Sequence, residues 1–370
     1  MSKQIFWCAS CLNMSTRPRI SFDKMGRCNA CQWMEEKKTL DWDSRLDQLD
    51  KLIDDHKGKG PYDCLVAVSG GKDGSYVSHT LKHRYGLKVL TITVRPPLSL
   101  EIGDDNLKSF VNSGFDHIHV TPDSRSMRTL DTIGFKEYGQ GYYGWLISIH
   151  TAVLRIADNF GISLVFYSED GEIEYGGSTE HKDVGVYGID YMKEVYLNNT
   201  YLDVIQKAGL NEREKYWFSF PDERIEKLEN LKVTHFSYYE NWDPYRNYLV
   251  AKEHCGLKEN EEGAVATFTN FAQNDQYLAS LHYYLMYLKF GFGRATQDAG
   301  IEIRRGAMTR DQAINLVNLY DGHAPIDFYQ IYSDYFEISK EEFETYIDKF
   351  ANKDLFKKEN GQWLPKFQIK

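Results

Sequence analysis

No stretch of the 370-residue chain approaches the ~20 consecutive apolar residues that a membrane-crossing helix needs. Nor does it begin with the basic-then-apolar layout of a secretion signal. A cytoplasmic location with no membrane span is therefore expected. Excess positive charge is missing as well: 54 Asp and Glu outweigh 44 Lys and Arg, for a formal net charge of -10 and a pI near 5.6. That balance disfavours a partner bound by neutralising many phosphates, so no nucleic acid is expected. Beyond Tyr191 there is neither an internal repeat nor a low-complexity tract. What remains, 42% hydrophobic and 14% aromatic residues, is ample for a core, and the length suggests two or three domains.

Cysteine is sparse, yet four of the six fall in two CxxC pairs, Cys8/Cys11 and Cys28/Cys31, with sixteen residues between them. This is the spacing of a zinc ribbon, in which each turn places two thiolates on one side of a tetrahedral ion and a hairpin brings up the second pair. Four thiolates close the shell, so the expected Zn²⁺ is structural. A disulfide reading needs an oxidising compartment, and a redox reading explains only one of the pairs. Cys64 sits inside an apolar run and is expected to pack as a small hydrophobe. Cys255, in Glu253-His254-Cys255-Gly256, shows no nucleophile setting.

The apolar run Cys64-Leu65-Val66-Ala67-Val68 leads into Ser69-Gly70-Gly71-Lys72-Asp73-Gly74-Ser75 and then a helical stretch. A buried strand that breaks at paired glycines and opens a helix surrounds an anion with bare N–H groups, aided by the helix dipole. Ser69 and Ser75 add hydroxyls and Lys72 a cation. The bland alternative is a tight turn without a ligand. The glycine rhythm of this loop fits neither GxxxxGK[ST] nor GxGxxG. It resembles the SGGxDS loop of the PP-loop ATP pyrophosphatases, which cleave ATP to AMP and pyrophosphate while adenylating a substrate oxygen. Gly74 stands where that pattern has serine, so Ser75 is expected to supply the hydroxyl.

Strands over Pro61 to Val68, Leu87 to Val94, His117 to Val120 and Ser163 to Tyr167 alternate with helices over Asp73 to Tyr85, near Asp104 to Asn112, and through Trp145 to Phe160. The expected fold is α/β, a doubly wound, mostly parallel sheet. Its carboxyl-end crevice is expected to gather Ser69, Thr93 to Arg95, Thr121 to Asp123 and Ser168 to Asp170. Backbone groups of Thr93 and Val94 are expected at adenine, with Arg95 beside them. The acidic run Glu169-Asp170-Gly171-Glu172-Ile173-Glu174 either holds Mg²⁺ near the phosphates or is a solvated loop. Further on, Lys289-Phe290-Gly291-Phe292-Gly293-Arg294 reads equally as a turn presenting Arg294 to an anion, with Lys289 and Arg304 nearby, or as a helix cap followed by a new helix. The tail from Ile338 reads as a helix and a hairpin. Three domains are expected: a zinc ribbon over 1–45, a PP-loop ATP pyrophosphatase domain over 46–215, and a mainly helical region for substrate or partner over 216–370.

Taken in order, the CxxC pairs, SGGKDGS, SEDGEIEYGG and KFGFGRATQDAGIEIRRGAMTRDQAI resemble the N-acetyl sugar amidotransferases. These WbpG-like and PseA-like enzymes of bacterial O-antigen and flagellin sugar assembly convert an acetamido group on a nucleotide-activated sugar to an acetamidino group. The resemblance implies an adenine nucleotide alpha hydrolase-like fold, ATP with Mg²⁺, and an adenylated imidate that ammonia resolves. Ser69 to Ser75 with Thr93, Val94 and Arg95 would bind ATP, Lys72, Asp73 and Glu169 would be catalytic, and Glu174, Lys289, Arg294 and Arg304 are substrate candidates. No cysteine sits in a glutaminase-type nucleophile turn, so ammonia is expected from a separate class I glutaminase subunit. The zinc ribbon is either its dock or a fold staple. The competing reading is a tRNA-modifying PP-loop enzyme of the thiolation or lysidine type; the acidic balance and the lack of a long basic stripe count against it.

Overall fold

The computed structural model describes residues 5–221, 231–261 and 263–369. Five strands, β1 (Cys64–Ala67), β2 (Val89–Val94), β3 (Asp116–Val120), β4 (Leu164–Tyr167) and β5 (Lys232–His235), form one sheet in the order β3-β2-β1-β4-β5. Every pairing is parallel, with Leu65 opposite both Leu90 and Val165, and Val165 opposite Val233. β1, β2 and β4 read as continuous apolar runs because both their faces are covered. Leu65, Ile92 and Val165 meet Leu130 of α5 (Ser124–Ile133) and Ile147 and Val153 of α6 (Tyr143–Asn159). Cys64, Val66 and Phe166 face the other way, toward α2 (Trp42–Asp54), α3 (Lys72–His83) and α4 (Glu101–Asn112), through Leu49, Leu81 and Phe110. Ahead of α2, α1 (Asn29–Lys37) carries the second CxxC pair into the fold.

The sequence does not announce β5, whose four residues lie in an aromatic, mainly helical stretch. It pairs with β4 from beyond residue 215, so the sheet runs past the expected domain boundary. The remaining chain builds a third core in which Leu281, Leu285 and Leu288 pack with Tyr332, Phe343 and Phe356. Phe135, which follows α5, stacks on Phe336 at 4.6 Å and ties this core to the sheet. The expected terminal helix and hairpin are present as Lys340–Phe350 and the paired strands Phe356–Glu359 and Gln362–Pro365. No helix among the described residues is long and apolar enough to cross a membrane.

Asp131 is a second tie between these layers. Wholly buried, it accepts the Gly144 and Trp145 N–H groups at 2.7 and 3.2 Å and the Tyr335 hydroxyl at 2.7 Å, bracing the first turn of α6. Burial outweighs these bonds and lifts its carboxyl to about 7. Below pH ~4 both folded and unfolded chains hold the proton; above it the unfolded chain releases it first, so this stabilisation fades as pH rises toward 7. The loss is on the order of 4 kcal/mol. Asp131→Asn should therefore hold its thermal stability better than the native chain between pH 5 and 8; parallel curves of Tm against pH would contradict this.

Candidate active site

In an open parallel sheet a ligand crevice forms where the strand order reverses, outside the carboxyl ends. Here that point lies between β1 and β4. The loop 69–71 leaves β1, Gly71 caps α3 in an extended conformation, and Lys72, Asp73 and Gly74 form the first turn. Gly70 sits at φ +80°, and a Cβ there would lie 2.5 Å from the Leu107 nitrogen of α4. Both the left-handed backbone and the close approach require glycine. Gly70→Ala should cost about 1–2 kcal/mol from backbone strain alone, with the steric overlap added; an unchanged Tm would refute that reading of the loop.

Lys72 is buried and its ammonium pairs with the Asp73 carboxylate, whose other oxygen accepts the Asn247 amide at 3.0 Å. Asn247, fully buried on the helix Pro244–Cys255 packed against α3, is a positioning residue that no local motif marks. Across the crevice stands Glu169, just after β4. Its carboxyl is lifted to about 7 by burial and by the Asp73 charge, against the pull of Lys72 and Arg294. The Tyr175 hydroxyl approaches it at 3.3 Å. The three expected catalytic residues, Lys72, Asp73 and Glu169, thus share one site. They line a cavity of about 280 Å³ with Ser69, Gly71 and Gly74, closed on the far side by Phe271 to Asp275.

A narrower apolar slot opens beside it, between α4 and α6, lined by Ile92, Thr93, Val94, His119 and Trp145. Thr93 and Val94 thus line a cavity beside the crevice, with the Thr93 hydroxyl and the Val94 carbonyl already engaged. The Thr93 hydroxyl donates to the Val68 carbonyl at 2.6 Å, and the Val94 carbonyl accepts the Trp145 indole N–H at 2.9 Å. Trp145 and Asp275, which line both the slot and the crevice, carry no sequence signal.

Other expectations require correction. Ser75 is wholly buried, its hydroxyl without a hydrogen-bond partner, and does not line the crevice; a Cβ at Gly74, in the first turn of α3, would come within 3.1 Å of Val68, so a serine there needs the strand end to give by a few tenths of an ångström. Arg95 is exposed at the end of β2, outside the slot lining, and Asp123 caps α5 through the Ser126 N–H at 2.8 Å. The acidic run is a short helix, α7 (Gly171–Tyr175), capped by Asp170, and its other carboxylates are spoken for. Glu172 takes the Arg19 guanidinium and Glu174 the Lys37 ammonium at 2.6 Å. Glu174 is therefore a docking residue, as is Arg304, which donates to the Glu174 carbonyl at 3.1 Å. Lys289 reaches the Tyr138 and Gly139 carbonyls at 3.2 and 3.0 Å, and burial lowers its ammonium to about 8. Of the substrate candidates only Arg294 borders the site, through Tyr175. A second glycine pattern, Gly139-x-Gly141-x-x-Gly144, follows a helix instead of a strand, and its glycines abut Phe350, Leu281 and Leu130; it is a packing turn.

Cys8, Cys11, Cys28 and Cys31 form the only metal-capable group of three or more among the described residues, all four sulfurs lying within 4.8 Å of one another. Tetrahedral bonds of 2.3 Å put sulfurs about 3.8 Å apart; Cys8–Cys31 measures 3.8 Å and Cys11–Cys28 3.6 Å. Backbone N–H groups of Ser10, Cys28 and Asn13 point at the sulfurs from 3.1 to 3.4 Å. Four thiolates around a divalent ion carry two net negative charges. Arg17 and Arg304 each bury an Nη1 with no hydrogen-bond partner within electrostatic reach of the cluster, which balances that charge. The donor set is compatible with zinc.

An all-parallel sheet of this order, with a glycine loop leaving β1 beside the switch point, defines an open, doubly wound α/β fold. Residues 265–368 in turn match the family model of the LPS biosynthesis protein WbpG-like C-terminal domain. Among solved structures the chain is similar to the NH3-dependent NAD synthetase of Campylobacter jejuni in complex with nitrate, at 14% identity over 59% of this chain and 94% of that one, TM-score 0.30. It is also similar to the U34-tRNA thiolase NcsA of Methanococcus maripaludis with its [4Fe-4S] cluster, at 15% identity over 72% and 79%, TM-score 0.30. Both likenesses are distant, and the α/β fold class stands on the strand order and its parallel pairings alone. No curated protein matches the sequence.

Proposed function

We propose that the protein is an ATP-dependent amidotransferase that converts the acetamido group of a nucleotide-activated sugar to an acetamidino group, in bacterial O-antigen, LPS or flagellin glycan assembly. One observation carries this reading. The segment Phe271–Asp275, inside the WbpG-like match, lines the same cavity as the glycine loop, so that domain and loop share a single crevice. On this reading residues 1–45 brace the site, the sheet domain activates ATP, and the C-terminal region presents the acceptor.

An amide oxygen is too poor a leaving group for ammonia to displace, so it must first be adenylated. The acceptor's amide oxygen attacks the α-phosphorus of ATP, the bond to pyrophosphate breaks, and an O-adenylyl imidate forms. Loop N–H groups and Lys72 offset the charge that develops on pyrophosphate, while Asp73, held by Asn247, fixes the ammonium. Asp73 and Glu169 are the carboxylates that would hold Mg²⁺, whose contribution is to neutralise phosphate charge. Ammonia then adds to the imidate carbon, and the C–O bond breaks to release AMP carrying the acceptor's oxygen. Ammonia would come from a separate class I glutaminase, because all six cysteines are buried and none lines the crevice.

Oxygen-18 in the acceptor's acetamido group tests the sequence of steps: the label should appear in AMP. Labelled pyrophosphate, unlabelled AMP, or AMP formation stimulated only by tRNA would refute it, the last in favour of the RNA-modifying alternative.

A further inference from the structure

Gln273 and Asn274 line the phosphate-loop crevice on one side and a separate chamber of about 230 Å³ on the other. At ~30 Å³ per water the chamber would hold about eight waters, comparable to one hexose. Its other walls come from Ala264 to Thr267, from Ala279, Ser280 and Tyr283 on the helix Leu278–Phe290, and from Arg294.

Arg294 gives this space chemical character. It is 6% exposed, and Asp298 fixes its Nε and Nη2 at 2.9 Å. Asp298 is in turn held by the Thr267 hydroxyl at 2.6 Å. The guanidinium lies 5.9 Å from the Tyr175 ring and 5.7 Å from the Tyr283 ring. Tyr175 also approaches Glu169, which connects the chamber to the reacting side. Asp298 offsets the charge of this guanidinium and, with the two rings, fixes its position, so that an anionic group entering the chamber would meet a preset donor.

Gln273 stands at the boundary between the two cavities, at φ +60° although it is not glycine. The Tyr283 hydroxyl donates to its Oε1 at 2.5 Å, which leaves its amide N–H groups as donors. Such strain persists only where the surroundings enforce it, and it clusters at ligand sites. The close approach of Asp275 to Gly103, where a Cβ would lie 2.7 Å from the Asp275 Cα, locks the same segment onto α4.

We propose that this chamber is the acceptor subsite: it takes an acetamido sugar through an anionic group at Arg294, and Gln273, part of the wall the chamber shares with the loop crevice, positions the acetamido oxygen. This assignment rests on the amidotransferase reading for the acceptor's identity, and its test does not use turnover. Calorimetry on the full chain without ATP would use N-acetylglucosamine, its 1-phosphate and N-acetylglucosaminuronate as probes. One or both anionic probes should bind at least tenfold more tightly than the neutral sugar, their ranking telling phosphate from carboxylate. Ser280→Leu, which fills the chamber, should lower that affinity at least tenfold with ATP affinity unchanged. Gln273→Gly relieves the backbone strain, so it should fold at least as well as the native chain yet also lose probe affinity. Equal binding of neutral and anionic probes, no binding at all, or binding unaffected by either substitution overturns the chamber assignment. Absence of an acetamidino product would overturn the amidotransferase reading instead, whatever the calorimetry shows.

Discussion

Lys72→Ala lowers kcat for AMP formation by about 10²–10³-fold, the usual cost of removing one well-aimed electrostatic donor. On the proposed mechanism the loss falls on kcat, because the charge that Lys72 would offset grows as pyrophosphate departs. The fold should survive, since Asp73 keeps its bond to Asn247 and the α3 turn is set by backbone. A second effect has a definite sign. The Lys72 charge holds the Glu169 carboxyl down, so its removal raises that group further above its present value near 7. Steady-state kinetics with circular dichroism as the folding control checks this; a folded Lys72→Ala protein with native kcat would remove Lys72 from the mechanism.

Stripping the metal from the four-cysteine cluster, or Cys28→Ser, abolishes AMP formation even with free ammonia supplied. Structural zinc contributes folding free energy outright, about 10–16 kcal/mol in isolated finger peptides. Without it the ribbon loses its grip on the loop that carries Glu169. Asn13 donates to the Tyr175 carbonyl at 3.1 Å, Asn29 to the Gly177 carbonyl, and Trp33 and Lys37 both hold Glu174. Arg310 fastens the ribbon from the other side through the Cys8 and Cys11 carbonyls. A ribbon that served only as a glutaminase dock would leave ammonia-driven turnover intact. Chelation followed by ammonia-dependent assay and thermal unfolding separates the two: loss of both activity and stability is expected, and full ammonia-driven turnover in the metal-free protein would contradict the staple role.

The parts of this site legible in sequence are those with local causes. β1, β2 and β4 show as apolar runs because both faces are buried, and the loop shows because only glycine tolerates the approach of α4 at Gly70. The cysteine cluster follows from spacing. What stayed hidden depends on residues far apart in the chain. α7 has its cap signal in Asp170, but the partners that turn Glu172 and Glu174 into docking residues, Arg19 and Lys37, come from more than a hundred residues away. The Lys289 cation looks ligand-directed beside two glycines until the Tyr138 and Gly139 carbonyls arrive from the other core. β5, Asn247 and the wall Phe271–Asp275 exist only through long-range packing, and no periodicity or motif marks them.

Mass spectrometry of a reaction containing the protein, Mg·ATP, ammonium at high pH and a panel of UDP- and CMP-linked acetamido sugars tests the central claim most directly. One acceptor should be converted to a product one mass unit lighter, from oxygen replaced by NH, with AMP and pyrophosphate released in equal amount. ATP cleavage to AMP with every acceptor unchanged in mass would contradict it.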